Sequence, residues 1–172
     1  MLIRSERPAD VPEISRLVAE AFRPPDSPDN PVPEVALVET LRASGAWIPE
    51  QSLVAMMEEE MVGYCLCTRA HVGVVACLAL GPIGVAADRQ RQGIGSALMN
   101  TAIAIGVDMG EPLIGLLGDP RFYGRFGFVP GAQVGIEPPD PSWGEAFQIK
   151  TLPAFRQASG VFRYPAAFAD FE

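Results

Sequence analysis

From Val72 to Ala87 the chain carries no charged residue, and Gly73, Gly81, Pro82 and Gly84 interrupt it. A membrane-crossing helix needs about 20 unbroken apolar residues, so this run reads as a buried strand with a kink. A glycine-containing turn, Gln90-Arg91-Gln92-Gly93-Ile94-Gly95, follows at once. Then Ile94, Leu98, Ala102 and Ile105 recur on one stripe, which predicts a helix over Ile94–Val107. A buried strand that turns directly into a helix calls for layers of both kinds, and this excludes all-helical and all-strand folds.

The flanking segments extend that reading. Leu2–Arg4 is a short strand, and Val11, Ile14, Leu17, Val18, Ala21 and Phe22 mark a helix that stops at Arg23-Pro24-Pro25. An exposed loop runs to Pro33, and a second short helix carries Val35, Leu37, Val38 and Leu41. Ser52–Glu58 and Met61–Arg69 form a hairpin, with His71–Val85 as a third strand. Pro112–Leu117 is a strand and Pro120–Phe126 a short helix stopped by Gly127. Gln133–Ile136 and Ala146–Leu152 complete the set as strands, separated by the rigid Pro138–Pro141 loop. The order is βααβββαβαββ, a mixed α/β fold.

At 172 residues the chain suits a single domain spanning 1–172. Thirteen basic residues against 21 acidic ones give a net charge of −8, which provides no general attraction for nucleic acid or an anionic membrane. Cys65, Cys67 and Cys77 are odd in number. Cys65 and Cys67 fall on one face of one strand, too constrained a pair for an ordinary disulfide. A cytoplasmic setting is therefore expected. With His71 as the only imidazole, no metal site is expected.

The glycine turn has a chemical reading. Glycines let backbone approach a ligand, and a helix start offers free N–H groups and a positive dipole end. Together they make a phosphate-sized anion site, to which Arg89 and Arg91 add charge. A Walker loop would need a lysine here, and a dinucleotide fingerprint would need glycine where Leu98 stands.

Gln90-Arg91-Gln92-Gly93-Ile94-Gly95 resembles the Gln/Arg-x-x-Gly-x-Gly/Ala motif of the GNAT N-acetyltransferase superfamily. Gly118-Asp119-Pro120-Arg121-Phe122-Tyr123-Gly124-Arg125-Phe126-Gly127-Phe128 and the tail from Gly160 resemble its YhbS-like branch. The similarity covers residues 1–136 in order. It implies a mostly antiparallel central sheet flanked by helices, with a splayed pair of central strands and a cofactor-binding core at about 72–128. It also implies acetyl-CoA as co-substrate, with its diphosphate on Gln90, Arg91, Gln92, Gly93, Ile94, Gly95 and Ser96. Its pantetheine would lie along Ile83 and Val85, with Val85 meeting the thioester through main-chain groups. Tyr123 takes the position of the general acid.

The implied activity is transfer of an acetyl group to an amine of a small molecule or protein, and homodimers are frequent in such families. The base is open among His71, Glu58 and Asp119. His71 could equally be ordinary surface, Glu58 a solvated hairpin tip, and Asp119 a cap for the helix after Pro120. The acceptor site would form from the Arg23–Pro33 loop and the C-terminal strands. Asp26, Asp29 and Glu34 could attract a cation there, and Trp47, Trp143 and Phe147 could line it. Each is explained as well by solubility or core packing. A non-catalytic acyl-CoA-binding module is the alternative reading, and a nucleotide-binding oxidoreductase a third.

Overall fold

The computed structural model describes residues 1–27 and 29–171, apart from the side chains of Asp170 and Phe171. Strand β1 (Leu2–Ser5) leads into helix α1 (Val11–Phe22), which has Pro12 in its first turn. It buries Ile14, Leu17 and Val18 and stops where Arg23 turns extended ahead of Pro24. Helix α2 (Pro33–Arg42) buries Leu37, Val38 and Leu41 beside it. Strands β2 (Ser52–Met57), β3 (Glu60–Val72) and β4 (Val75–Val85) follow as an antiparallel meander. Helix α3 (Ile94–Asp108) then crosses over to β5 (Leu113–Leu117), which lies parallel to β4. The last elements are α4 (Pro120–Tyr123), β6 (Val129–Pro130), β7 (Ile136–Glu137), β8 (Phe147–Thr151) and β9 (Gly160–Arg163).

The sheet runs β1-β2-β3-β4-β5-β8-β6, with β9 bridging β3 and β7. Pairing is antiparallel except for β4 with β5 and β7 with β9. Helices α1 and α2 cover one face over Val54, Met61, Tyr64 and Leu66. Helix α3 covers the other over Leu53, Cys65, Cys67, Leu78 and Leu80. Cys65 and Cys67 thus share a face as expected, and all three cysteines are free and buried.

Two expected boundaries change, and the tail adds a strand. His71 and Val72 close β3 rather than open β4, because Gly73 at φ +58° makes the two-residue turn between paired Val72 and Val75. The strand expected at Gln133–Ile136 is a 3₁₀ turn, Gly131–Val134, followed by the two residues of β7. Gly135 at φ +74° reverses the chain there. Strand β9 was not anticipated. Its Phe162 is fully buried, and a Cβ on Gly115 of β5 would lie 2.5 Å from the Phe162 ring. Gly115→Ala is therefore expected to destabilise the chain by about 1–3 kcal/mol through overpacking. Urea unfolding measures this, and an unchanged midpoint would contradict the packing described.

Candidate active site

Two interruptions of the sheet open the site. In the β3–β4 ladder Cys65 pairs with Ile83 but Cys67 pairs with Leu80, so Leu66 alone faces Gly81 and Pro82. That is a bulge on β4, and the Gly81–Pro82 peptide is cis. On its other side β4 pairs with β5 only at Leu78 and Ala79. Beyond Ala79 the parallel strands part. The Ala86 N–H donates to Val62 O at 3.0 Å, so alternation turns the N–H and C=O of Val85 the other way, into the gap.

Glycines bring both helices down to this gap. A Cβ on Gly63 would lie 2.9 Å from Leu98 and 3.0 Å from Ile94, so α3 rests on β3 there. A Cβ on Gly84 would lie 3.0 Å from Ala21 and 3.1 Å from the Phe22 ring, so the end of α1 rests on β4. The result is an open cleft of about 750 Å³. Ile83 and Val85 of β4, Gln90, Arg91, Gly93, Ile94, Gly95 and Ser96 of the turn and helix start, and Tyr123 of α4 all line it. Gln92 does not. Its amide donates to Asp88 O at 3.2 Å.

The turn presents free main-chain amides to the cleft. Arg91 (φ +60°) and Gly93 (φ +83°) both take left-handed backbone, and Gly93 caps α3. The first bond inside α3 runs from Ala97 N to Gly93 O at 2.9 Å, which leaves the amides of Ile94, Gly95 and Ser96 without helical acceptors. Gln90 ties the turn back to Val85 O at 3.4 Å. Arg89, expected to add charge here, instead holds Glu60 at 2.8 Å. Arg125, given no role by its motif, also lines the cleft. Phe22 and Gly118 also line the cleft. Motif spacing carries no signal for Phe22, brought in from α1, and it gives Gly118 no role of its own.

Tyr123 sits half-buried between Phe122 and Phe128, at ring-centroid distances of 4.9 and 6.0 Å. Its ring lies directly on Gly118, where an added Cβ would come within 2.2 Å. Gly118 is itself fixed. Its N–H donates to Ala146 O at 2.9 Å, and its carbonyl accepts from the buried amide of Gln148 at 3.0 Å. Burial pushes the Tyr123 phenol up to about 12, with the neighbouring Cys65 adding to it. Among the described residues nothing hydrogen-bonds its hydroxyl.

The three base candidates are not gathered beside it. Asp119 lines the cleft, but its Oδ1 accepts from Arg121 N at 2.9 Å as the cap of α4. The Arg121 guanidinium holds its carboxyl below the usual carboxylate range. Glu58 lies at the β2–β3 turn, in a separate hollow with Glu13 and Arg89. His71 lies roughly 20 Å from Cys65 along β3, at about 3.3 Å per residue, in a groove with Arg69 and Arg163. The acceptor candidates stand apart too. Phe147 is fully buried core, Trp47 lies under Arg42, and Trp143 stacks with Tyr164. Asp26 and Asp29 are exposed, and Pro28 of that loop lies outside the described residues.

A strand bulge, a splayed parallel pair and a helix start aimed into the gap define an acyltransferase fold. The family model described as Acetyltransferase (GNAT) family matches residues 13–128. The chain belongs to that family. It is 29% identical to the uncharacterized N-acetyltransferase YhbS of Escherichia coli strain K12, over 99% of this chain and 100% of the relative. The crystal structure of YhbS from Escherichia coli in complex with CoA superposes with a TM-score of 0.89 at 28% identity, covering 99% of this chain and 93% of that one. A GNAT family acetyltransferase from Brucella melitensis in complex with acetyl-CoA gives a TM-score of 0.76 at 31% identity, with 97% of each chain covered. The YhbS-like branch is supported by these likenesses.

The seat under Tyr123 has a measurable consequence. In Gly118→Ala the ring must swing off its support toward water, and the phenol pKa is expected to fall from about 12 toward its ordinary 10. Carbon-13 NMR of ring-labelled tyrosine, assigned with Tyr123→Phe, reads this. An unshifted titration would show that Gly118 does not seat the ring.

Proposed function

We propose that the chain transfers the acetyl group of acetyl-CoA to an amine by direct attack, with both substrates bound together. The observation that carries this reading is the convergence of three groups on one cleft: the free amide end of α3, the outward main chain of Val85 and the phenol of Tyr123. The amides of Ile94, Gly95 and Ser96, with Arg91, would hold the diphosphate. Ile83 and Val85 would flank the pantetheine.

The chemistry then needs little from side chains. The amine lone pair adds to the thioester carbon, an N–C bond forms, and charge moves to the carbonyl oxygen. The Val85 N–H is the donor aimed at the gap where that oxyanion would lie. The C–S bond then breaks, the sulfur takes the Tyr123 proton, and the amide nitrogen gives up its extra proton through water to the phenolate left behind. A phenol raised to about 12 is protonated throughout neutral pH, so it is always in the donating form. Holding the two reactants together supplies much of the rate. The acceptor is an amine of a small molecule or protein, and the acidic chain is no partner for nucleic acid or membrane. No described helix is long and apolar enough to cross a membrane.

One observation favours a second reading, a non-catalytic acyl-CoA-binding module. None of His71, Glu58 and Asp119 is a free base beside Tyr123. Turnover decides between the two.

Calorimetric titration with acetyl-CoA, run beside NADPH, is the first test. Saturable binding of acetyl-CoA alone is expected, and no binding by folded protein would remove the reading. A Cβ on Gly95 would lie 3.6 Å from Val85 and 3.8 Å from Phe122, so the fold tolerates a side chain there. Gly95→Leu should therefore keep the melting temperature yet weaken acetyl-CoA about tenfold or more, by blocking the amides. With any amine that turns over in a thiol-release screen, Tyr123→Phe should lower kcat about 10²-fold. The wild-type rate should show no falling limb from Tyr123 below about pH 11, since its phenol stays protonated until about 12. An unchanged kcat in the variant would sink the proton-donor role.

A further inference from the structure

Arg4, Arg16, Arg42, Arg69, Arg89 and Arg121 each hold a carboxylate. Arg91 and Arg125 hold none among the described residues, and both line the cleft of a chain with net charge −8. Arg91 belongs to the same turn as the free α3 amides. Arg125 is held separately. Its guanidinium carbon lies 4.6 Å from the Phe122 ring centroid and 5.4 Å from that of Phe126. Its Nε donates to Phe122 O at 3.2 Å. Among the described residues both terminal nitrogens are without a protein acceptor.

Such a guanidinium is already oriented, so little of its side-chain freedom remains to be lost on binding. It faces the cleft from the wall beside the α3 start, since the Phe122 ring that supports it lies 3.8 Å from where a Gly95 Cβ would stand. With the α3 amides and Arg91 already available to a diphosphate, a second oriented guanidinium beside them suits a ligand that carries a further anionic group close by. Coenzyme A has such a group, the 3′-phosphate of its ribose, one sugar away from the diphosphate. We infer that Arg125 is the recognition residue for the 3′-phosphate of the cofactor, and that it makes the chain select coenzyme A over 3′-dephospho-coenzyme A. This assignment rests on the coenzyme reading proposed above.

Calorimetry with CoA and 3′-dephospho-CoA on wild type, Arg125→Gln, Arg125→Lys and Arg91→Gln tests it. Wild type should bind CoA on the order of tenfold more tightly than the dephospho form, the scale of one charge-assisted phosphate contact. Arg125→Gln should bind both ligands alike, at the wild-type affinity for dephospho-CoA. Arg125→Lys should retain part of the preference. Arg91→Gln should weaken both ligands by one common factor and keep the preference intact. A preference that survives Arg125→Gln, a common loss for both ligands in that variant, or a wild type indifferent to the 3′-phosphate would each overturn the assignment. Wild type that binds neither ligand would remove the coenzyme reading itself, and the role of Arg125 with it.

Discussion

The site depends on β4 losing its parallel partner after Ala79. A strand buried between two helical layers normally satisfies its main chain on both edges, because an unpaired buried N–H or C=O costs about as much as a lost hydrogen bond. Beyond Ala79, β4 has a partner on one edge only, the β3 ladder through Tyr64 to Gly84 and Gly63 to Val85. Its other edge must meet water or a ligand. The bulge at Gly81 and Pro82 alters the count of residues along β4. That count decides that Val85, and not Gly84 or Ala86, turns its polar groups into the gap. A cleft that presents main-chain groups beside a free helix start needs few specialised side chains.

The electrostatics follow the same economy. Several carboxylates are already matched. Asp10 holds Arg4, Glu6 holds Arg42, Glu111 holds Arg69 and Asp119 holds Arg121. Among the described residues Arg91 and Arg125 line the cleft without a carboxylate partner. Tyr123 works by the opposite device. It has no charged partner, and burial on a glycine keeps it neutral. The aromatic cluster of Phe122, Tyr123, Phe126 and Phe128 therefore serves both ends of the cleft. It half-buries the phenol and gives Arg125 a surface to lie on.

The legible parts of this protein were local ones. Gln90 to Ser96 could be read as an anion-binding turn because a strand end, left-handed glycine and helix start are consecutive in the chain. The α1 and α3 faces were legible from spacing, since Ile14, Leu17 and Val18 or Ile94, Leu98 and Ala102 meet the core by helical periodicity alone. The cap role of Asp119 was one of two local readings, and the backbone of Arg121 decided it. The motif does not state that the Gln92 side chain bonds Asp88 O within the turn.

What only the tertiary structure decided were contacts between residues far apart in sequence. The Tyr123 seat needs Gly118, and Gly118 is held by Ala146 and by Gln148 of β8. Strand β9 exists because Phe162 fills the space over Gly115, a pairing that four residues of weak alternation do not announce. His71 looked usable by chemistry alone, yet the β3–β4 turn carried it to the far end of the sheet. A sequence states periodicity and turn geometry, which are set by neighbouring residues. The positions of Arg125, Phe22 and Gly118 around one cleft are set by how the helices rest on the sheet, and those distances are written only in the packed structure.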